Sequence, residues 1–271
     1  MNISNGFFEE VHMVTEKRAT FNEVAELYDK AGNHYPDSLF DELHKLTQLP
    51  SAARILEIGS GTGIATLPLA ERGYRIIGVE LGHDMAAVAR HKLAAFSNVD
   101  IQLASFEDWQ PPAEPFDLVL SATAFHWLDP DIRFQKTASV LKDRGHLAIV
   151  KYHHIAGGDQ SFFDQVQLCY EQYKPHSEQL QLPRMEDMYP DTEELVQCGL
   201  YEQPVIRRYV TEETYNRQQY LDLLATYSDH RTLEPLTRQR LFECIGTLID
   251  NDYDGKVRKC YLHELILARK A

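Results

Sequence analysis

Between residues 52 and 155 short apolar runs alternate with amphipathic segments. The run ARILEIG (53–59) ends in glycines and predicts a strand. IATLPLAERG (64–73) predicts a helix, provided that Pro68 falls in its first turn and Gly73 stops it. YRIIGVEL (74–81) predicts a second strand. Asp84 predicts an N-cap for a helix carrying Met85, Val88, Leu93 and Phe96. VDIQLAS (99–105) predicts a third strand and FDLVLSA (116–122) a fourth, with the turn QPPAEP between them. Asp129 and Pro130 predict the N-cap and first residue of a helix to about Leu141, ended by Arg144 and Gly145. HLAIVKYHH (146–154) predicts a fifth strand.

Strand and helix repeated in this way imply a parallel sheet covered on both faces. Right-handed crossovers then give a doubly wound, Rossmann-like α/β fold. Residues 1–50 read as helical, with ATFNEVAELYDKAG the most periodic stretch. Residues 156–203 break the sheet pattern and predict a small helical cap. PVIRRYVT (204–211) and KVRKCYLHELILARK (256–270) predict two more strands, with LDLLATY and RQRLFECIGTLIDN as helices between them. Together they complete a seven-stranded sheet, mostly parallel, with an antiparallel last strand. The expected organisation is one domain over 1–271: an N-terminal helical lid (1–50), a core (51–155), a cap insertion (156–203) and completing strands and helices (204–271). Ligands in such sheets bind at the carboxyl ends of the strands, so chemistry is expected in the loops after the first four.

Charge narrows the partners. Lys plus Arg number 27 and Asp plus Glu 41, a net charge of −14. Such a surface repels a phosphate backbone, so nucleic acid is not the expected partner. The four cysteines (Cys169, Cys198, Cys244 and Cys260) form no C-x-x-C pair and have no zinc-type spacing to histidine. They are expected to be free thiols in a reducing cytoplasm, and no metal is expected. The first residues carry acid where a signal peptide needs base, and no stretch approaches membrane-spanning length. A cytoplasmic, soluble monomer or homodimer with no membrane partner is the expectation.

The loop Gly59-Ser60-Gly61-Thr62-Gly63 is the strongest chemical signal. Alternate glycines between a strand and a helix let backbone approach a ligand closely. A dinucleotide fingerprint would need a small residue where Ile64 or Thr66 stands, so a nicotinamide site is disfavoured. Glu80, about twenty residues on at the end of the second strand, is placed to accept hydrogen bonds from both hydroxyls of a ribose.

The segments ILEIGSGTGIATLPLA, IIGVELGHDMAAVAR, SFEDW and FDLVLSATAFHWLD resemble the four strand-end motifs of class I S-adenosylmethionine-dependent methyltransferases. The set is most similar to the small-molecule group called methyltransferase type 11. FNEVAELYDKAGNHYP and LLATYSDHRTLEP, with the C-terminal VRKCYLHELILARK, resemble its flanks. The resemblance implies S-adenosyl-L-methionine as cofactor, with S-adenosyl-L-homocysteine as product. It implies that Gly59, Ser60, Gly61 and Gly63 line the methionine part and ribose, and that Glu57 faces the ammonium. Leu81 and Met85 would contact the adenine, with Ser105, Phe106 and Glu107 around its edge and Ser121 and Ala122 beneath the methionine moiety. Relatives often carry Arg-Pro where this chain has Gly32-Asn33, which puts a shared carboxylate clamp in doubt.

Methyl transfer from a sulfonium is an in-line displacement that needs alignment and dryness, and a base only when the acceptor must lose a proton. His126 is the candidate base, just past the fourth strand, with Trp127 as a wall. Tyr28, Tyr35, Tyr152, His153, His154 and Tyr227 are candidates for the acceptor pocket. The expected activity is methyl transfer to a small molecule (EC 2.1.1.-). Its alternative is a non-catalytic or regulatory S-adenosylmethionine-binding protein of the same fold.

Overall fold

A computed structural model describes residues 25–31, 34–174 and 181–271. The Gly32-Asn33 pair, part of the expected lid and part of the cap lie outside the described residues. The chain order is α1 (Ala25–Ala31), α2 (Asp37–Thr47), β1 (Arg54–Ile58), α3 (Thr66–Glu71), β2 (Arg75–Glu80), α4 (His83–Lys92), β3 (Val99–Leu103) and β4 (Phe116–Ala122). A 3-10 turn (Phe125–Trp127) precedes α5 (Arg133–Val140) and β5 (Leu141–Ile155). Then come α6 (Gln160–Gln165), α7 (Gln167–Tyr173), α8 (Glu193–Gln197), β6 (Val205–Asn216), α9 (Arg217–Thr226), α10 (Ser228–Arg231), α11 (Pro235–Asp252) and β7 (Lys256–Arg269).

The seven strands form one sheet in the order β3-β2-β1-β4-β5-β7-β6. The first five pair in parallel, and β7 runs antiparallel to both β5 and β6. This is the seven-stranded, mostly parallel, doubly wound sheet expected from the pattern. The order reverses at β1 and β4, which opens a crevice at their carboxyl ends.

Strand alternation builds the two cores. Ile55, Leu118, Leu120, Val150 and Leu265 face α2, α3 and α4 through Leu43, Leu69 and Ala89. Their neighbours Leu56, Val119, Ile149 and Ile266 face Phe134 and Ala138 of α5 and Leu195 of α8. A third cluster joins Phe162 and Phe163 of α6 to Tyr220 of α9 and to Leu241, Ile245 and Ile249 of α11. That third cluster is the cap over the sheet edge.

Four local expectations are corrected. Asp84 is not an N-cap: Gly82 holds that position and Asp84 sits in the first turn of α4. Asp129 caps a turn instead of α5, accepting the Asp131 amide at 2.9 Å, and the helix starts at Arg133. Arg144 and Gly145 lie within β5, with Arg144 at φ 61°, because the helix has already ended at Val140. Finally, two of the expected thiols are paired: Cys169 of α7 and Cys244 of α11 form a disulfide with Cα atoms 5.9 Å apart. The crossing of α7 and α11 in the cap core brings together two cysteines that sequence spacing kept apart, while Cys198 and Cys260 are free.

Candidate functional site

The turn after β1 is built to stay open. Gly59, Gly61 and Gly63 all have positive φ, at 69°, 55° and 82°. A Cβ on Gly59 would sit 2.4 Å from the Ala124 Cβ, so this glycine lets the β4 loop pack against the turn. A Cβ on Gly61 would meet nothing within 4 Å, because Gly61 faces open space.

Glu80, at the end of β2, ties that turn in place. Its Oε2 accepts the Gly61 amide at 2.8 Å and its Oε1 accepts the Gly82 amide at 2.7 Å. The carboxylate is therefore fixed in orientation. Glu57, one register step inside β1, is 1% exposed and its Oε2 has no hydrogen-bond partner among the described residues. Burial, reinforced by the charge of Glu80, pushes its carboxyl up to about 8. A buried acid with an orphaned oxygen suits a cationic partner, since a cation would offset the cost of ionising it.

The glycine turn and Glu80 open onto a cavity of about 400 Å³, with Glu57 buried outside its lining. Gly59, Gly61, Glu80, Leu81, Met85 and Phe106 form one end. Ala122, His126 and Trp127 line it past β4, and Tyr28, Tyr152 and Tyr227 complete the lining, with Tyr28 close enough to Glu80 to feel its charge. The described residues fit a sulfonium nucleoside: bare backbone at Gly61, an anchored carboxylate for a sugar diol, and a buried acid for an ammonium. Among the described residues no group of three or more His, Cys, Asp or Glu is arranged to hold a metal.

Other expected site residues lie elsewhere. Ser121 donates to the Ile58 carbonyl at 3.1 Å, tying β4 to β1. Ser105 hydrogen-bonds Asp108, and the Glu107 carboxylate accepts the Asp129 amide at 3.2 Å. Ser60 is buried beside Gly78, and Gly63 packs against Leu93. Tyr35 belongs to the loop before α2, not to a helix, and acts from behind: its hydroxyl is 2.7 Å from Thr123 Oγ1. His153 is turned away, its Nε2 3.1 Å from Glu264, because adjacent residues of β5 face opposite sides. Its neighbour His154 lines the cavity instead.

Sequence reasoning missed three features. Thr123 lines the cavity at φ 56°, a strained conformation for a β-branched residue, held by Tyr35 and by its own amide on the Val150 carbonyl at 2.8 Å. Asp229 also lines the cavity and ends a chain that runs through His230 to the Tyr170 hydroxyl, at 2.8 and 2.9 Å. Lys259 is buried behind the inner wall. None of these has a local sequence signature. His126 is held neutral: burial, with the charges of Lys151 and Arg133, lowers it to about 4.

Residues 55–145 match the methyltransferase domain family model. An uncharacterized methyltransferase of Mycobacterium tuberculosis is 33% identical over 132 residues, covering 48% of this chain and 51% of the relative. A demethylmenaquinone methyltransferase of Tropheryma whipplei is 27% identical over 146 residues, covering 51% and 60%. The chain thus spans about half the length of the curated relatives it matches. Among solved structures, a provisionally assigned type II methyltransferase from Anaeromyxobacter dehalogenans superposes with a TM-score of 0.59 at 21% identity, covering 87% of this chain and 97% of that one. Phosphoethanolamine N-methyltransferase 2 of Haemonchus contortus, with S-adenosylhomocysteine bound, gives 0.51 at 18% identity, covering 92% of this chain and 57% of that one. Among the described residues no helix is long and apolar enough to cross a membrane.

Proposed function

Because the chain has the fold of class I S-adenosylmethionine-dependent methyltransferases, we propose that it transfers a methyl group from that cofactor to a small-molecule acceptor, working as a single domain. The observation that carries this reading is the Glu80 carboxylate, pinned by the Gly61 and Gly82 amides at the mouth of a 400 Å³ cavity. A carboxylate fixed beside bare backbone is the arrangement a ribose needs.

When bound, the cofactor supplies an electrophilic methyl group on a sulfonium. In this reading Glu80 holds the ribose diol and Glu57 the ammonium, while Leu81, Met85 and Phe106 cover the base. Met85 offers a soft sulfur contact to the ring. Ser105, Glu107 and Ser121 brace the loops that carry these contacts, and Ala122 closes the floor. His126 is the proposed proton acceptor for acceptors that must lose one, with Trp127 as the adjoining wall. Tyr28, Tyr152 and Tyr227 exclude water from the acceptor end, and Tyr35 steadies Thr123 behind it. Alignment and exclusion of water carry most of the rate in a displacement of this kind.

Calorimetric titration with S-adenosylhomocysteine, followed by transfer of a labelled methyl group to a metabolite panel, tests the proposal. Saturable binding with labelled product is the expected result. Binding without product from any acceptor would favour a non-catalytic cofactor-binding protein, and no binding at millimolar ligand would overturn the reading.

A further inference from the structure

Against Tyr227, which lines the cavity, the fold buries a lysine. Lys259, on β7, is 3% exposed and has no carboxylate partner among the described residues. Its ammonium is enclosed by the rings of Phe163, Tyr220, Tyr227 and Tyr261, with ring centroids at 5.7, 5.9, 5.9 and 5.6 Å. Glu213, directly opposite Lys259 in the β6 register, is exposed and makes no ion pair with it, while Asp159 and Glu212 both face Arg258, at 2.8 and 3.8 Å. Alternation along the strand turns Arg258 outward and Lys259 inward. Burying an ammonium among rings recovers only part of its lost hydration. Burial accordingly holds Lys259 down to about 7.

Two further polar groups stand beside it without partners. The Tyr227 hydroxyl and His154 Nδ1 are buried and make no hydrogen bond to any described residue. Their rings pack at 5.7 Å, and both line the cavity. His154 pairs in register with Tyr261, two residues from Lys259 along β7, and the charge of Lys259 acts on the His154 ring. Of the acids that line the cavity, Glu80 lies at the glycine turn, and Asp229, two residues from Tyr227, is paired with His230 and Lys174, both at 2.8 Å. The inner end therefore presents the Tyr227 hydroxyl and the His154 ring to the cavity, with the Lys259 amine against the Tyr227 ring.

We propose that this inner end is the acceptor's anchoring point and takes a carboxylate, so that the acceptor is a small organic acid whose anionic group is held by Lys259, Tyr227 and His154. The proposal rests on the cofactor reading for the word acceptor, but the anion seat stands on its own residues. A carboxylate supplies acceptors for the Lys259 ammonium, the Tyr227 hydroxyl and the His154 ring in its Nδ1-protonated tautomer, and the charge that Lys259 lacks. The tyrosine rings around it suit an apolar or aromatic body.

The test uses benzoate and its neutral isostere benzamide as probes on the full chain, by calorimetry, with and without S-adenosylhomocysteine. Benzoate is expected to bind about tenfold or more tightly than benzamide, from charge-assisted hydrogen bonds. Lys259→Met is expected to bring the two within about twofold while leaving S-adenosylhomocysteine affinity unchanged. Tyr227→Phe, which deletes a single hydroxyl, is expected to weaken benzoate several-fold and benzamide less. Equal binding of the two probes by the wild type, or a preference that survives in Lys259→Met, overturns the proposal. Should Lys259→Met not fold, the wild-type ratio and Tyr227→Phe decide. Failure of S-adenosylhomocysteine to bind would instead strike the cofactor reading and is seen in a separate titration.

Discussion

The Glu80 carboxylate accepts the Gly61 amide at 2.8 Å, joining the end of β2 to the tip of the β1 turn across nineteen residues. With the second bond to Gly82, the charge is held still before any ligand arrives. In this geometry Glu80→Ala removes the proposed ribose contact and releases the turn together. We expect it to weaken S-adenosylhomocysteine binding by about 10- to 100-fold, the range for hydrogen bonds to a charged group, by calorimetry. Glu80→Gln, which keeps one acceptor, should lose less.

The glycines divide into two kinds. Gly59→Ala must displace Ala124, 2.4 Å from the new Cβ, and Gly61→Ala meets no atom and costs only the left-handed backbone, about 1–2 kcal/mol. Denaturant unfolding should therefore show the larger stability loss for Gly59→Ala. Gly61→Ala should stay folded and still bind S-adenosylhomocysteine poorly, because its methyl group projects into the space the ligand takes in this reading.

How far the sequence could reach follows from these residues. The placement of the glycine turn and of Glu80 was legible because it follows local spacing: a strand, three alternate glycines and a carboxylate about twenty residues on. The sheet was legible because its strands are apolar runs. The helix starts at Asp84 and Asp129 were misread because a cap-forming residue also satisfies a first turn or an isolated turn equally well. The Cys169–Cys244 pair, the Asp229–His230–Tyr170 chain and Lys259 depend on how the cap packs on β7. That packing brings together segments far apart in the chain, and no short pattern records it.

The disulfide closes a loop of 75 residues. In the chain-entropy account such a loop is worth about 4 kcal/mol, as an upper figure. Dithiothreitol, or Cys169→Ser with Cys244→Ser, should lower the unfolding midpoint accordingly, and peptide mapping without reductant should recover the linked pair. The glycine turn lies outside the closed segment, so S-adenosylhomocysteine binding should change little at temperatures where the reduced protein is folded.

Glu57 has a pKa near 8 when folded, against an ordinary value of 4.5. The folded protein therefore keeps a proton that the unfolded chain gives up. The resulting penalty on stability is absent below about pH 4.5, grows as pH rises towards 8 and is constant above. Glu57→Gln should thus raise the melting temperature of the ligand-free protein at pH 8 and have little effect near pH 5. At pH 7, ionisation of Glu57 against the ligand ammonium should release close to one proton per S-adenosylhomocysteine bound. Calorimetry in buffers of different ionisation heat measures that number, and Glu57→Gln should abolish this release.

His126 stands past β4 with its ring 4.7 Å from that of Trp127. Burial first, then the charges of Lys151 and Arg133, hold its pKa near 4. A depressed pKa means that the neutral, proton-accepting imidazole is present throughout the range above about pH 5. The rate attributable to His126 should then be flat from about pH 6 upward, and any rise with pH must come from the acceptor's own ionisation. For an acceptor that loses a proton, His126→Ala and His126→Gln should each lower kcat by about 10²-fold, since neither supplies a base. Both should bind S-adenosylhomocysteine within about twofold of wild type, because none of the proposed cofactor contacts is made by the His126 ring. A kcat unchanged in both variants would remove His126 from the chemistry and leave it as a wall beside Trp127.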